Sequence, residues 1–215
     1  MRPFMRLIYT LGLATMLTGA LGWPMAGEAG PALTLGEAEN RLVRGGYMET
    51  LLNANWAVAQ GEAIVPLLGR MLNKRQAYDQ ELGGATGAFP FNALWALGHI
   101  PKASALQVLE KYFAASHDSS AALAIKGWKL RATEKGPRYG VLTNDAPLLS
   151  KPAEKARVVM ELKAGQMVKI ERQMITSPGE EGPRGGPAHY DQVELIPSGE
   201  KGYISRAGDD FSPFM

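Results

Sequence analysis

The chain has 215 residues, 23 Lys and Arg against 21 Asp and Glu, no Cys, and 46% apolar residues. Zero cysteines exclude disulfides, thiolate nucleophiles and thiolate metal sites, and a chain of this length can bury a core without cross-links. Near-balanced charge with no Lys/Arg run lacks the electrostatic footprint of a nucleic-acid binder, so no nucleic-acid partner is expected.

At the N-terminus, Arg2 and Arg6 precede an uncharged stretch from Leu7 to Gly22, followed by small residues and Pro24. A charged start, an apolar run and a small-residue exit make the pattern of a secretory signal, read here as residues 1–29 with cleavage between 20 and 30. The apolar run is slightly short for a membrane span of ~20 residues, so membrane contact is expected only if this segment stays uncleaved. Without Arg2 and Arg6, 21 basic residues face 21 acidic ones, and the exported chain is near neutral.

Residues 33–132 read as helical. Ala54-Asn55-Trp56-Ala57-Val58-Ala59 recurs as Ala93-Leu94-Trp95-Ala96-Leu97-Gly98 after 39 residues. The stretch from Ile64 to Leu72 recurs from Ala105 to Phe113 after 41. In each pair a short Ala-rich helix precedes an amphipathic one, with Val65, Leu68 and Leu72, or Leu106, Leu109 and Phe113, on one apolar stripe. Ala121 to Leu130 supplies a further helix. A period near 40 is the mark of a helical solenoid. The segment resembles HEAT-type repeats, including Pro66 within the paired helices and the Ala96-Leu97-Gly98 ending. Either Leu35 to Val43 caps such a stack, or the segment is an ordinary helical bundle. Trp56, Trp95 and Trp128 on the Ala-rich helices read as core. Asp79 to Pro90 reads as a Gly-rich loop, not a phosphate loop, because no Gly-Lys-Ser/Thr follows. Residues 133–138 form a linker marked by Lys135-Gly136-Pro137.

From Tyr139 the period changes to two. Val158, Met160 and Leu162 are expected to face inward, with Val159, Glu161 and Lys163 outward. Val168 and Ile170, then Val193 and Leu195, continue the apolar face. Short strands split by Gly and Pro predict a small barrel over residues 139–207, followed by a tail at 208–215. Thr176 to His189, with four Gly and three Pro, reads as a flexible insertion.

The strand set Leu149-Ser150-Lys151-Pro152, Leu162-Lys163-Ala164-Gly165-Gln166-Met167-Val168, Tyr190-Asp191-Gln192-Val193 and Gly202-Tyr203-Ile204 resembles the bacterial SH3-like family. Tyr190 and Tyr203 stand where that family carries tryptophans. The resemblance implies a small all-β binding barrel whose ligand groove is lined at the Tyr190 position, and peptidoglycan peptides or a protein as partners. Alternation places Tyr190 on the face opposite Val193 and Leu195, outside the barrel core. The ligand-binding residues expected are Tyr190, Tyr203, Asn144 and Asp145, the last two in the turn after the first strand.

No catalytic or metal residues are predicted, and no cofactor. The three histidines fit no metal spacing: His99 reads as a surface or capping residue, His117-Asp118 as a helix boundary, and His189 as part of the insertion. No Gly-x-Ser-x-Gly or His-Glu-x-x-His occurs. The sequence therefore predicts an exported, noncatalytic binding or scaffold protein of the cell envelope: an all-α helical-repeat domain followed by a small all-β SH3-like barrel. The alternatives are an accessory subunit of an envelope complex, bound through the helical face, and a divergent cell-wall hydrolase.

Overall fold

The computed structural model describes residues 34–44, 50–83, 89–134, 138–182, 186–206 and 214–215. The signal segment, the Lys135-Gly136-Pro137 linker and most of the 208–215 tail lie outside the described residues. Among those described, seven α-helices precede six strands: α1 (Leu35–Leu42), α2 (Thr50–Ala59), α3 (Val65–Asn73), α4 (Arg75–Glu81), α5 (Phe89–His99), α6 (Ala103–Ser116), α7 (Ser119–Glu134), β1 (Tyr139–Val141), β2 (Ala146–Leu149), β3 (Val158–Leu162), β4 (Met167–Glu181), β5 (Pro187–Ile196) and β6 (Lys201–Ser205). None of the described helices is long and apolar enough to cross a membrane.

Local chemistry sets the helix ends. Thr34 caps α1, its hydroxyl accepting from the Glu37 amide at 3.2 Å. Pro66 sits in the first turn of α3, where a missing N–H costs nothing. His117 ends α6 with a left-handed φ of 53°, and the Asp118 carboxylate accepts from the Ser120 and Ala121 amides to start α7. Arg75 crosses from α4 to reach Tyr112 and Asp118, at 3.1 and 2.7 Å. The expected Asp79–Pro90 loop is shorter than predicted: Asp79 to Glu81 end α4, and Phe89 and Pro90 open α5.

The Ala-rich helices share one layer. Helix α2 packs on α5 and α5 on α7, while α3 packs on α6 and α1 covers α2, α3 and α5. Ala54, Ala57, Ala93, Ala96, Ala121 and Ala124 are all buried and let these backbones approach closely. Two of the three tryptophans join this core, and Trp128 is half-buried beside it. Trp95 is buried, and Trp56 packs against the core beneath the Arg41 guanidinium, 4.7 Å from its ring. Trp128 donates its indole N–H to the Ile100 carbonyl at 2.8 Å.

The strands form one curled antiparallel sheet, a half-barrel, in the order β1-β4-β5-β6-β2-β3. With β1 and β3 at its edges, it does not close by hydrogen bonding into the expected barrel. Its core holds Leu142, Leu148, Leu162, Val168, Ile170, Val193, Leu195 and Ile204. Two expectations fail. Val158 and Met160 are exposed, at 45% and 37%, because β3 is an edge strand paired only with β2 and its register shifts at Leu148/Leu149. The insertion from Thr176 to His189 is also largely regular. It continues β4 and β5 as a hairpin arm, pairing Thr176 with His189 and Glu181 with Pro187. A register shift between Thr176 and Glu181 falls in the stretch that holds Pro178 and Gly179.

Helices and sheet are joined by Phe214 and Met215, which the sequence placed in the tail after the barrel. Phe214 enters the sheet core and Met215 the helical core. Met215 exchanges two backbone hydrogen bonds with Val141, at 2.8 and 3.0 Å. Trp95 donates to the Phe214 carbonyl at 3.1 Å. Glycines make room for this segment: a Cβ on Gly140 would lie 2.7 Å from the Phe214 Cβ, and one on Gly127 2.5 Å from the Met215 main-chain oxygen. Arg131 of α7 closes the junction, donating to the carbonyls of Gly98 at 2.7 Å, Tyr139 at 2.9 Å and Met215 at 3.2 Å. Burial pushes its pKa down to about 10. Arg131→Ala strips three main-chain oxygens of their donor, so urea unfolding should show a loss of about 2–4 kcal/mol. A loss below ~1 kcal/mol would mean that the junction holds without it.

His99, in the last turn of α5, belongs to the same junction and is half-buried there. Its ring stacks on Trp95 at 3.8 Å, and Nδ1 donates to the Trp95 carbonyl at 2.8 Å. Burial, reinforced by the nearby Arg131 charge, holds its pKa well below the ordinary 6.5. The unfolded chain then takes up a proton near pH 6.5 that the folded chain refuses, so stability is lost as pH falls below that value. Melting temperature should drop between roughly pH 7 and pH 5. His99→Gln should flatten that slope; an unchanged slope would assign it to other groups.

Candidate functional site

The structure divides the four predicted binding residues into two pairs. Tyr190 and Tyr203 lie together on β5 and β6, on the sheet face opposite Val193. That face is covered, however. The loop between β2 and β3 folds over it, and Tyr190 packs with Leu149 and Ala156, flanked by Ala153, Ala188 and Tyr203. Tyr190 is only 2% exposed, so it is not the open aromatic anchor that alternation implied. Strand period reports which face a side chain takes, and cannot report what a distant loop lays over that face.

The Tyr190 hydroxyl has a specific partner. It donates to Glu180 Oε2 at 2.9 Å, and the backbone amide of Glu154 donates to both Glu180 oxygens at 3.0 Å. Glu180 lies in the arm and Glu154 in the β2–β3 loop, so one carboxylate ties the two together above the tyrosine. Burial, and then the Glu180 hydrogen bond, push the Tyr190 pKa up to about 12. The Glu154 amide, the Tyr190 and Ser177 hydroxyls and the Lys151 charge hold Glu180 below its ordinary carboxylate value.

Asn144 and Asp145 are exposed at the other end of the sheet. Asn144 donates to Thr143 at 3.3 Å. Asp145 accepts from Lys163 at 2.8 Å and from the Ala164 amide at 2.9 Å, which ties the turn after β1 to the turn after β3. The Lys163 bond and the Ala164 amide lower its pKa. This end is marked by Gln166, which donates to the Ile196 carbonyl at the end of β5. Six residues of β5 separate Ile196 from Tyr190, about 20 Å of strand. The two pairs therefore sit on different elements, Tyr190 and Tyr203 on β5 and β6 under the β2–β3 loop, Asn144 and Asp145 in the exposed turn before β2.

A buried ion pair escaped the sequence reading. Asp191 is fully buried and accepts from Arg206 Nε at 2.8 and 3.0 Å, and Arg206 is 5% exposed. The same carboxylate accepts from the Met174 amide at 3.0 Å and so holds Met174 in a left-handed conformation, φ 54°, at the root of the arm. The signal was present: alternation puts Asp191 on the inward face with Val193 and Leu195, where a charge demands a partner.

The described surface also carries an open cleft of about 470 Å³ between α7 and β4. Ala122, Ile125, Leu130 and Met167 supply its apolar lining, with Lys126, Lys129 and Thr133 as the polar members. Lys126 donates to the Gly165 carbonyl at 2.6 Å, and Lys129 pairs with Glu110 at 3.0 Å. Both ammonium groups therefore stay beside the cleft. Among the described residues no group of three or more His, Asp or Glu is arranged to hold a metal ion.

Comparison of the chain with protein-family models, with curated proteins and with solved structures returns no match.

The burial of Tyr190 sets its mutational cost. Tyr190→Ala opens a cavity and should destabilise by about 3–4 kcal/mol, whereas Tyr190→Phe loses only the bond to Glu180 and should cost about 1 kcal/mol. Urea denaturation of both variants checks this; equal small losses would mean that Tyr190 is exposed in solution.

Proposed function

We propose that this chain is an exported, noncatalytic binding or scaffold protein of the bacterial cell envelope. In this reading the helices form a HEAT-like stack and the curled sheet is an SH3-like half-barrel. The two-layer order of the Ala-rich and amphipathic helices supports the first assignment. The long β4–β5 hairpin and the β2–β3 hairpin beside β6 support the second. Export rests on the N-terminal charge and apolar pattern, and the cell-wall setting on family analogy.

The observation that carries the reading is the cleft between α7 and β4. Its size falls within the range of ligand sites, about 300–1,000 Å³, and its lining is apolar with a few polar groups. With Tyr190 covered, this cleft replaces the aromatic groove as the place where a peptidoglycan peptide or a protein segment binds. Six of its seven lining residues come from α7. That favours, as a second reading, an accessory subunit that meets its partner through the helical face.

Ala122 is half-buried in the cleft wall. Ala122→Arg extends a long cation across the cleft and should leave stability within about 1 kcal/mol. Titration with a soluble disaccharide-tetrapeptide from cell wall, followed by amide NMR, should move Lys126, Lys129 and Met167 in the wild-type protein. The variant should bind at least about tenfold more weakly. Saturable binding that ignores Ala122→Arg would place the site elsewhere. No binding by either protein would remove the peptide as ligand, and release of soluble wall fragments would replace the reading with a hydrolase.

A further inference from the structure

The Glu180 contact has the composition of an occupied ligand site. One backbone N–H, from Glu154, points at both oxygens of a carboxylate, and the hydroxyl of a tyrosine that is 2% exposed points at one of them. Besides the Ser177 hydroxyl of the arm itself, two donors from outside the arm's tip converge on this carboxylate, a common anion-binding arrangement. The floor beneath is small and apolar: Ala153, Ala156 and Ala188 beside the Tyr190 and Tyr203 rings. The Lys151 charge acts on the same carboxylate.

What fills the site is not imposed by the sheet. Glu180 stands on the arm in the stretch between Thr176 and Glu181, where the β4–β5 register shifts, and Gly179 before it has a φ of 80°. The arm is anchored at its root by Asp191 through Met174, well before Glu180. Release of the Glu180 contact therefore leaves the sheet core and the Asp191–Arg206 pair intact.

We propose that Glu180 is an internal latch in a carboxylate-binding notch formed by the Glu154 amide and the Tyr190 hydroxyl, and that a peptide ending in a free carboxylate next to a small apolar side chain displaces it. The incoming carboxylate takes the same two donors, and its side chain rests on the alanine and tyrosine floor. This notch is distinct from the α7–β4 cleft, so either site can fail without the other.

The test uses the intact protein, N-acetyl-alanine as probe and its neutral primary amide as control. Glu180→Ala vacates the notch. It should bind N-acetyl-alanine saturably and at least about tenfold more tightly than wild type, with the largest amide shift at Glu154. The neutral amide should leave Glu154 unmoved. In the same variant the Tyr190 hydroxyl, followed by phenolate absorbance, should ionise below its present value of about 12 and return upward when the probe binds. No saturable shift at Glu154 in a folded Glu180→Ala protein would overturn the proposal, as would equal response to acid and amide. Should the alanine variant fail to fold, Glu180→Gln carries the test, because it keeps the acceptor and loses the charge. Tighter binding of the acid than in wild type then supports the latch, and unchanged binding overturns it.

Discussion

The arrangement of the helices against the sheet depends on one half-buried cation. Arg131 reaches from α7 to three main-chain oxygens, one at the end of α5, one at the start of β1 and one on Met215. Its Nε is buried with no hydrogen-bond partner among the described residues. Removing a guanidinium from water is expensive, and here three main-chain oxygens offset that cost. The geometry is correspondingly strict, because three separate elements must deliver their oxygens to one planar fork. That requirement sets α7 against the sheet, and with it the two walls of the cleft. Phe214 and Met215 reinforce the arrangement by entering the two cores on either side.

The second buried charge works differently. Arg206 and Asp191 neutralise each other inside the sheet, and the spare capacity of the Asp191 oxygens is used by the Met174 amide. A left-handed conformation at a non-glycine residue costs on the order of 1–3 kcal/mol and persists only where its surroundings hold it. Here it redirects β4 at the root of the arm. The arm then extends past the sheet and comes to lie over the β2–β3 loop. Tyr190 is covered as a consequence, and a face that would otherwise be open becomes a small satellite core.

Legibility in the sequence followed the range of the interactions. The helical period, the Ala-rich faces, the boundary at His117-Asp118 and the inward set of Val168, Ile170, Val193 and Leu195 depend on neighbours a few residues apart. They were read correctly. The edge position of β3 was not legible, because nothing within Val158 to Leu162 states which strands lie beside it. Nor was the pairing of the arm, whose Gly and Pro content argued for a loop while register shifts allowed a ladder. Of the candidate site, the sheet face of Tyr190, opposite Val193 and Leu195, was legible from alternation. The cover over Tyr190 was not, because it depends on where the β2–β3 loop and the arm are laid.

The amino-acid sequence by itself determined the class of each half, α then β, because periods of 3.6 and 2 are properties of local backbone geometry. It also determined the absence of thiol chemistry and the near-neutral charge of the chain beyond Arg6. Tertiary structure alone decided that Phe214 and Met215 bind the halves together, that Tyr190 is roofed by Glu180, and that the open cleft lies between α7 and β4. Each of these joins residues far apart in the chain: 119 positions between Trp95 and Phe214, 84 between Arg131 and Met215, 26 between Glu154 and Glu180. Contacts at that separation leave no periodic trace in either segment, since each partner is selected by its surroundings in the fold and not by its neighbours in sequence.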